Sequence, residues 1–313
     1  MAELISMRKA YGEALVALGH SRPEVVVLSA DCSNSDHSYM FEDVFPERFV
    51  NVGIAEQSLV DVAVGMAYTG KVPLVNTFSV FLATRALEMI RTHACYGRAN
   101  VKFMGAYSGL SDSFDGPTHH SITDLAIMRA LPNMTVVVPS DPTAVARLLP
   151  QVAERAGPVF FRLCRNEVPV LFDASYEPTI GKAVTLREGT DVTLVACGVI
   201  LDRVLAAADR LAEAGIAARV VEMHTIKPID ADTILACAAE TGALVTIEEH
   251  SVIGGLGSAV TDVTAEACPV PVKRVGVPDR FAETGPYAAL LDRYGLAVDD
   301  IVDAARSAAD ARP

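Results

Sequence analysis

Short apolar runs rich in β-branched residues recur along the first half of the chain, at 25–29, 72–76, 101–105, 135–138 and 159–162. Longer stretches between them return their apolar positions at helical spacing, as in Met7, Tyr11, Ala14, Leu15 and Leu18, or Leu82, Leu87 and Ile90. The apolar runs do not alternate strictly with polar residues, so they predict strands covered on both faces. That pattern belongs to an α/β chain with a mainly parallel sheet flanked by helices. Two helix starts are also legible: Asp141 precedes Pro142, and Asp230 precedes a helix beginning near Ala231, each placing a capping carboxylate before the first turn.

Apolar density drops over 167–189, where Pro169, Asp173, Pro178 and Gly181 interrupt any regular pattern. The rhythm then restarts with predicted strands at 192–196, 218–222, 244–248 and 273–277. Helices are expected at 202–214, 231–241 and from Ser258. Two α/β domains result, each a mainly parallel sheet flanked by helices: residues 1–172 and 190–313, with a linker over 173–189.

The chain has 313 residues, 51% of them hydrophobic, enough to build two buried cores. Its formal charge of −13 repels phosphate backbones and anionic lipid, which argues against nucleic acid or a membrane surface as partner. No apolar stretch is long enough to cross a bilayer, and the opening residues lack the order of a secretory signal, so cytoplasmic residence is expected. The six cysteines are scattered, with no Cys-x-x-Cys pair and no zinc spacing, and read as reduced.

Glu56 lies where the short strand 50–52 gives way to an apolar helix. It is either a first-turn carboxylate favoured by the helix dipole or a desolvated carboxyl that holds a proton for a ligand nitrogen. Phe78 and Phe81 follow a strand at its carboxyl end, where open α/β sheets collect ligands, and suit either core packing or stacking on a flat heteroaromatic ring. Asp115-Gly116-Pro117-Thr118-His119-His120 is a turn by composition; adjacent histidines do not share one metal easily, and His119 suits either an ordinary surface histidine or a hydrogen-bonding or proton-transferring group. Gly254-Gly255-Leu256-Gly257 opens a helix as phosphate loops do, although close helix–sheet packing explains it at least as well.

In this order, NVGIAEQ (51–57), NTFSVF (76–81), DGPTH (115–119), LPNMTVVV (131–138) and GVPDRFAETG (276–285) resemble the carboxyl-terminal half of transketolase-type thiamine diphosphate enzymes. The resemblance spans nearly the whole chain. It implies a pyrimidine-binding domain followed by the small transketolase carboxyl-terminal domain. It also implies that Glu56 bonds the cofactor's aminopyrimidine, that Phe78 and Phe81 surround that ring, and that Asp31 and Ile54 approach the cofactor. Ser35, Tyr107, Asp115 and His119 would then face the substrate, with His119 moving a proton. Arg165 would bind the substrate's terminal phosphate. Tyr107 departs from the family, which commonly has a histidine there. No segment resembles the family's diphosphate-binding domain, so Mg²⁺ (or Ca²⁺) and the diphosphate site are expected from an amino-terminal transketolase subunit, in an α2β2 assembly acting on sugar phosphates. A 1-deoxyxylulose-phosphate synthase-like or 2-oxo acid dehydrogenase E1 β-like subunit, or a non-catalytic scaffold, are the alternatives.

Overall fold

The computed structural model describes residues 3–312. Its first sheet has seven strands, in the order Thr225–Lys227, Thr135–Val137, Val159–Arg162, Lys102–Ala106, Val72–Phe78, Val25–Ser29, Phe49–Asn51. Every neighbouring pair is parallel except Thr225–Lys227 against Thr135–Val137 at the edge. The second sheet runs Val272–Val277, Leu244–Ser251, Val192–Cys197, Ala218–Glu222, Val184–Arg187, with only the last strand antiparallel. Two mainly parallel sheets flanked by helices are what the apolar runs predict.

Alternate residues of the central strands explain why those runs are apolar throughout. Val25, Val27, Leu74, Met104, Val159 and Phe161 pack with helices Met7–Ser21 and Pro142–Glu154 on one face. Val26, Leu28, Val75, Phe103 and Phe160 pack on the other, in a cluster that continues through Leu59, Leu125 and Met128 to Val195, Val221, Ile234 and Leu256 of the second sheet and its helices. A buried valine or leucine contributes about 1.5–3 kcal/mol, so this shared core fixes one domain firmly against the other.

Both predicted caps form, and each does a second job. Asp141 accepts from the amide of Ala144 at 2.7 Å, while its other oxygen accepts from Leu171 and Phe172 at 2.8 and 2.9 Å. Asp230 accepts from Thr233 at 3.3 Å and, through its second oxygen, from Ala183 at 3.0 Å. The irregular stretch between the domains is thereby tied to a helix start on each side.

Across Leu82, Leu87 and Ile90, where the apolar spacing is helical, the helix is not continuous. Helical residues come in three pieces, Ser79–Ala83, Leu87–Met89 and a π-helical Ile90–Tyr96. The break begins where the Thr84 hydroxyl donates to the Val80 carbonyl at 2.6 Å, and the Ala86 amide reaches back five residues to Phe81. Near the amino end, Leu4–Ser6 pairs antiparallel with Glu167–Pro169, which brings the start of helix Met7–Ser21 beside Arg165. Among the described residues no helix is long and apolar enough to cross a membrane.

Candidate functional site

The residues singled out in the sequence leave the carboxyl edge of the first sheet. Asp31 and Ser35 follow Val25–Ser29, Ile54 and Glu56 follow Phe49–Asn51, Tyr107 follows Lys102–Ala106, and Arg165 follows Val159–Arg162. Phe78 is the last residue of its strand, rather than following it, and Phe81 lies on the short helix Ser79–Ala83. Parallel strands bring all these chain ends to one rim.

At the centre is a row of flat groups. Tyr107 stacks on Phe78, centroids 4.3 Å apart at 19°, and Phe78 lies near parallel to Phe81 at 5.7 Å and 17°. The His119 ring meets the edges of both phenylalanines, at 6.0 and 5.4 Å, and its Nδ1 lies 3.0 Å from the Thr118 hydroxyl. Beyond Phe81, the guanidinium of Arg85 sits 4.3 Å from the ring centroid. Arg85 also donates through Nη1 to both carboxylate oxygens of Glu56, at 2.9 Å each. Glu56 is the first residue of helix Glu56–Tyr68 and only 1% exposed. The partly buried Cys32 thiol is pushed up to about 11, first by burial and then by the charges of Asp36, Glu56 and Asp31.

The other end of the row is basic. Arg8 donates to the Tyr107 hydroxyl at 3.0 Å, to the Ser35 carbonyl at 2.7 Å and to the Arg165 carbonyl at 2.8 Å. Guanidinium carbons of Arg8 and Arg165 lie 5.5 and 5.0 Å from the Tyr107 ring centre. Tyr107 takes a left-handed backbone, φ +58, which is uncommon for a bulky side chain. Arg165 donates to buried Asp112 at 2.7 Å, and burial together with the nearby Asp115 raises Asp112 to about 6. Asp115 itself is exposed. Asp31 exchanges hydrogen bonds with Asn51, and Ile54 is 76% exposed.

Below the row, Ser79 donates to Asp124 at 2.6 Å, and the same oxygen of Asp124 accepts from Arg162 at 2.8 Å. Burial opposes the charge on Asp124, but Arg162 and His250 outweigh it and hold its carboxyl below the usual range. Arg162 also donates to the Glu249 carbonyl at 2.9 Å, and the Ala126 amide donates to His250 at 3.3 Å, so the second domain braces the site from beneath. The glycine loop follows the packing reading. Glu248 fills the helix amino terminus, accepting from Leu256 and Gly257 at 2.7 and 2.8 Å.

Sequence reasoning missed Arg8, Arg85, Asp112 and the Ser79–Asp124–Arg162 group. Only Ser79, between the two phenylalanines, carried a positional signal. Among the described residues no group of three or more His, Cys, Asp and Glu is placed to hold a metal ion. A buried carboxylate beside a half-open aromatic face fits the pyrimidine end of thiamine diphosphate; the donors for a metal-bound diphosphate are not among these residues.

The Transketolase, pyrimidine binding domain model matches residues 3–170, and the Transketolase, C-terminal domain model matches residues 181–301. The chain is 39% identical over 299 residues to the 6-deoxy-6-sulfo-D-fructose transketolase subunit SqwH of Clostridium sp., covering 96% of this chain and 93% of that one. It is 36% identical over 294 residues to an apulose-4-phosphate transketolase subunit of Phocaeicola vulgatus, covering 94% of each. A solved structure described as a split gene transketolase, inactive beta4 tetramer, superposes with a TM-score of 0.93 at 47% identity, covering 99% of this chain and 100% of that one. By sequence and by fold, this chain belongs to the transketolase family.

Proposed function

We propose that the chain is the carboxyl-terminal subunit of a split transketolase, moving a two-carbon ketol unit from a ketose to an aldose with thiamine diphosphate. Residues 1–172 would form the pyrimidine-binding domain and 190–313 the carboxyl-terminal domain, joined by 173–189, whose residues Val184–Arg187 add the edge strand to the second sheet. The observation that carries this reading is Glu56, buried beside a half-open Phe78–Phe81 face. The amino-terminal subunit would supply the metal and diphosphate half, in an α2β2 complex in the cytoplasm. Exposed apolar side chains beside the site, Ile54 at 76% and Phe114 at 65%, support a covering partner.

In this assignment Glu56 holds a proton against a pyrimidine nitrogen, and Phe78 and Phe81 fix the plane of that ring. Bound thiamine diphosphate supplies the nucleophilic carbon that accepts and releases the two-carbon unit. His119 moves a proton at a substrate hydroxyl, with Asp115 at the rim. Arg8 and Arg165 flank the place for a terminal anion, a task suited to guanidinium forks. Relatives named for a sulfo-sugar and for a sugar phosphate support an anionic end, and we assign phosphate as the first to test.

The test is to purify the chain with its amino-terminal partner and titrate thiamine diphosphate and Mg²⁺ into each component and into the complex. Tight binding confined to the complex, and ketol transfer cut at least about 100-fold by Glu56→Gln, are expected. Undiminished transfer by that variant would overturn the assignment.

A further inference from the structure

Arg85 stands where two proposed cofactor contacts converge. One guanidinium nitrogen lies 2.9 Å from both oxygens of Glu56, and the guanidinium carbon sits 4.3 Å from the centroid of Phe81. A flat, nitrogen-bearing group stacked near Phe81 and bonded to Glu56 is also what the pyrimidine of the cofactor must be. Both would draw on the same two carboxylate oxygens and on the same Phe81 ring. We infer that Arg85 is a resident stand-in for the cofactor ring, holding its seat before the cofactor binds and leaving as the ring arrives. This rests on the cofactor assignment proposed above.

The burial of the two partners supports an exchange rather than a fixed ion pair. Glu56 is 1% exposed, so its carboxylate cannot turn to water for a partner. The Arg85 side chain is 45% exposed and has solvent to retreat into. A buried carboxylate stripped of its partner is strongly unfavourable. Cation and ring therefore replace each other at the same oxygens, and the guanidinium keeps the aromatic face and the carboxylate in place until then. Arg85 belongs to the short region in which Ser79–Ala83 ends and regular helix is interrupted before Leu87, so its backbone is not locked into a continuous helical ladder.

The experiment is thiamine diphosphate binding, with Mg²⁺, to the complex of this chain and its amino-terminal partner, followed by calorimetry and stopped-flow fluorescence. If the seat is nine-tenths filled by Arg85, binding to the wild type is weakened about tenfold relative to an open seat. Arg85→Gln, which cannot hold the carboxylate as a cation, should therefore bind about tenfold more tightly. Its observed rate should rise linearly with cofactor where the wild-type rate levels off. Arg85→Lys keeps the charge without the planar face and should fall between the two, which preserves the test if Arg85→Gln does not assemble. Equal or weaker binding by the variants, beside normal binding by the wild type, overturns the stand-in role and leaves the cofactor assignment intact. No binding by the wild-type complex overturns the cofactor assignment and this inference with it.

Discussion

The hydroxyl of Ser79 donates at 2.6 Å to Asp124, a fully buried carboxylate whose other strong partner is Arg162. Ser79 separates the two site phenylalanines by position, so this bond fixes the turn on which both rings stand. Ser79→Ala should cost about 1 kcal/mol, the net worth of one hydrogen bond. Asp124→Ala leaves the Arg162 guanidinium buried without its carboxylate and should cost about 3–5 kcal/mol. Denaturant melts of the two variants check the ranking, and a smaller loss for Asp124→Ala than for Ser79→Ala would contradict it.

Tyr107, where the sequence resemblance leads one to expect a histidine, is also the residue to which Arg8 is tied. Its hydroxyl accepts from Arg8 at 3.0 Å while its ring covers one face of Phe78. Tyr107→Phe keeps the stack and releases Arg8 from one partner. We expect KM for a donor with a terminal anion to change by about five- to tenfold, the scale of one hydrogen bond, with kcat nearly constant and neutral sugars unaffected. Equal shifts for charged and neutral sugars would separate Tyr107 from anion recognition.

A phosphate loop and a packing loop make opposite predictions at Gly255. A Cβ built there would clash with Oε2 of Glu248, the carboxylate that satisfies the following helix amides. Gly255→Ala should therefore destabilise the chain by about 1–3 kcal/mol through overpacking. Inorganic phosphate at low millimolar concentration, too dilute for general salting-out, should not protect the wild type against heat more than chloride of equal ionic strength does.

The legible part of the fold was the part encoded locally. Residues 25–29 and 159–162 appear as strands with the predicted bounds, because runs such as Val25-Val26-Val27 are apolar on both faces of a covered strand. Asp141 and Asp230 cap as read, since the cap bond spans three residues. Thr225–Lys227 was illegible: it belongs by sequence to the second half of the chain, yet pairs with Thr135–Val137 of the first sheet. The site divides in the same way. Glu56, Phe78 and Phe81 sit in recognisable segments, whereas Arg8 reaches Arg165 across 157 positions and Arg85 meets Glu56 across 29. Their residue types look like ordinary surface arginines until the sheet edge gathers them.

Glu222 offers a stability test independent of catalysis. It is fully buried at the end of strand Ala218–Glu222 and accepts from the Tyr176 hydroxyl at 2.6 Å. Burial raises it from 4.5 to about 7, against the smaller opposing effect of the Tyr176 and Ser140 hydroxyls. The folded chain then holds a proton that the unfolded chain has released between about pH 4.5 and 7. Stability from this group is full below that window, is lost as pH rises through it and is flat above it. The loss corresponds to about 3 kcal/mol at roughly 1.4 kcal/mol per unit. Glu222→Gln removes the titration while keeping an acceptor for Tyr176. Its melting temperature should fall less than that of the wild type between pH 5 and 8, and it should be the more stable of the two at pH 8. A wild type that gains stability from Glu222 across that range, read as a steeper fall in the variant, would reverse the sign argued here.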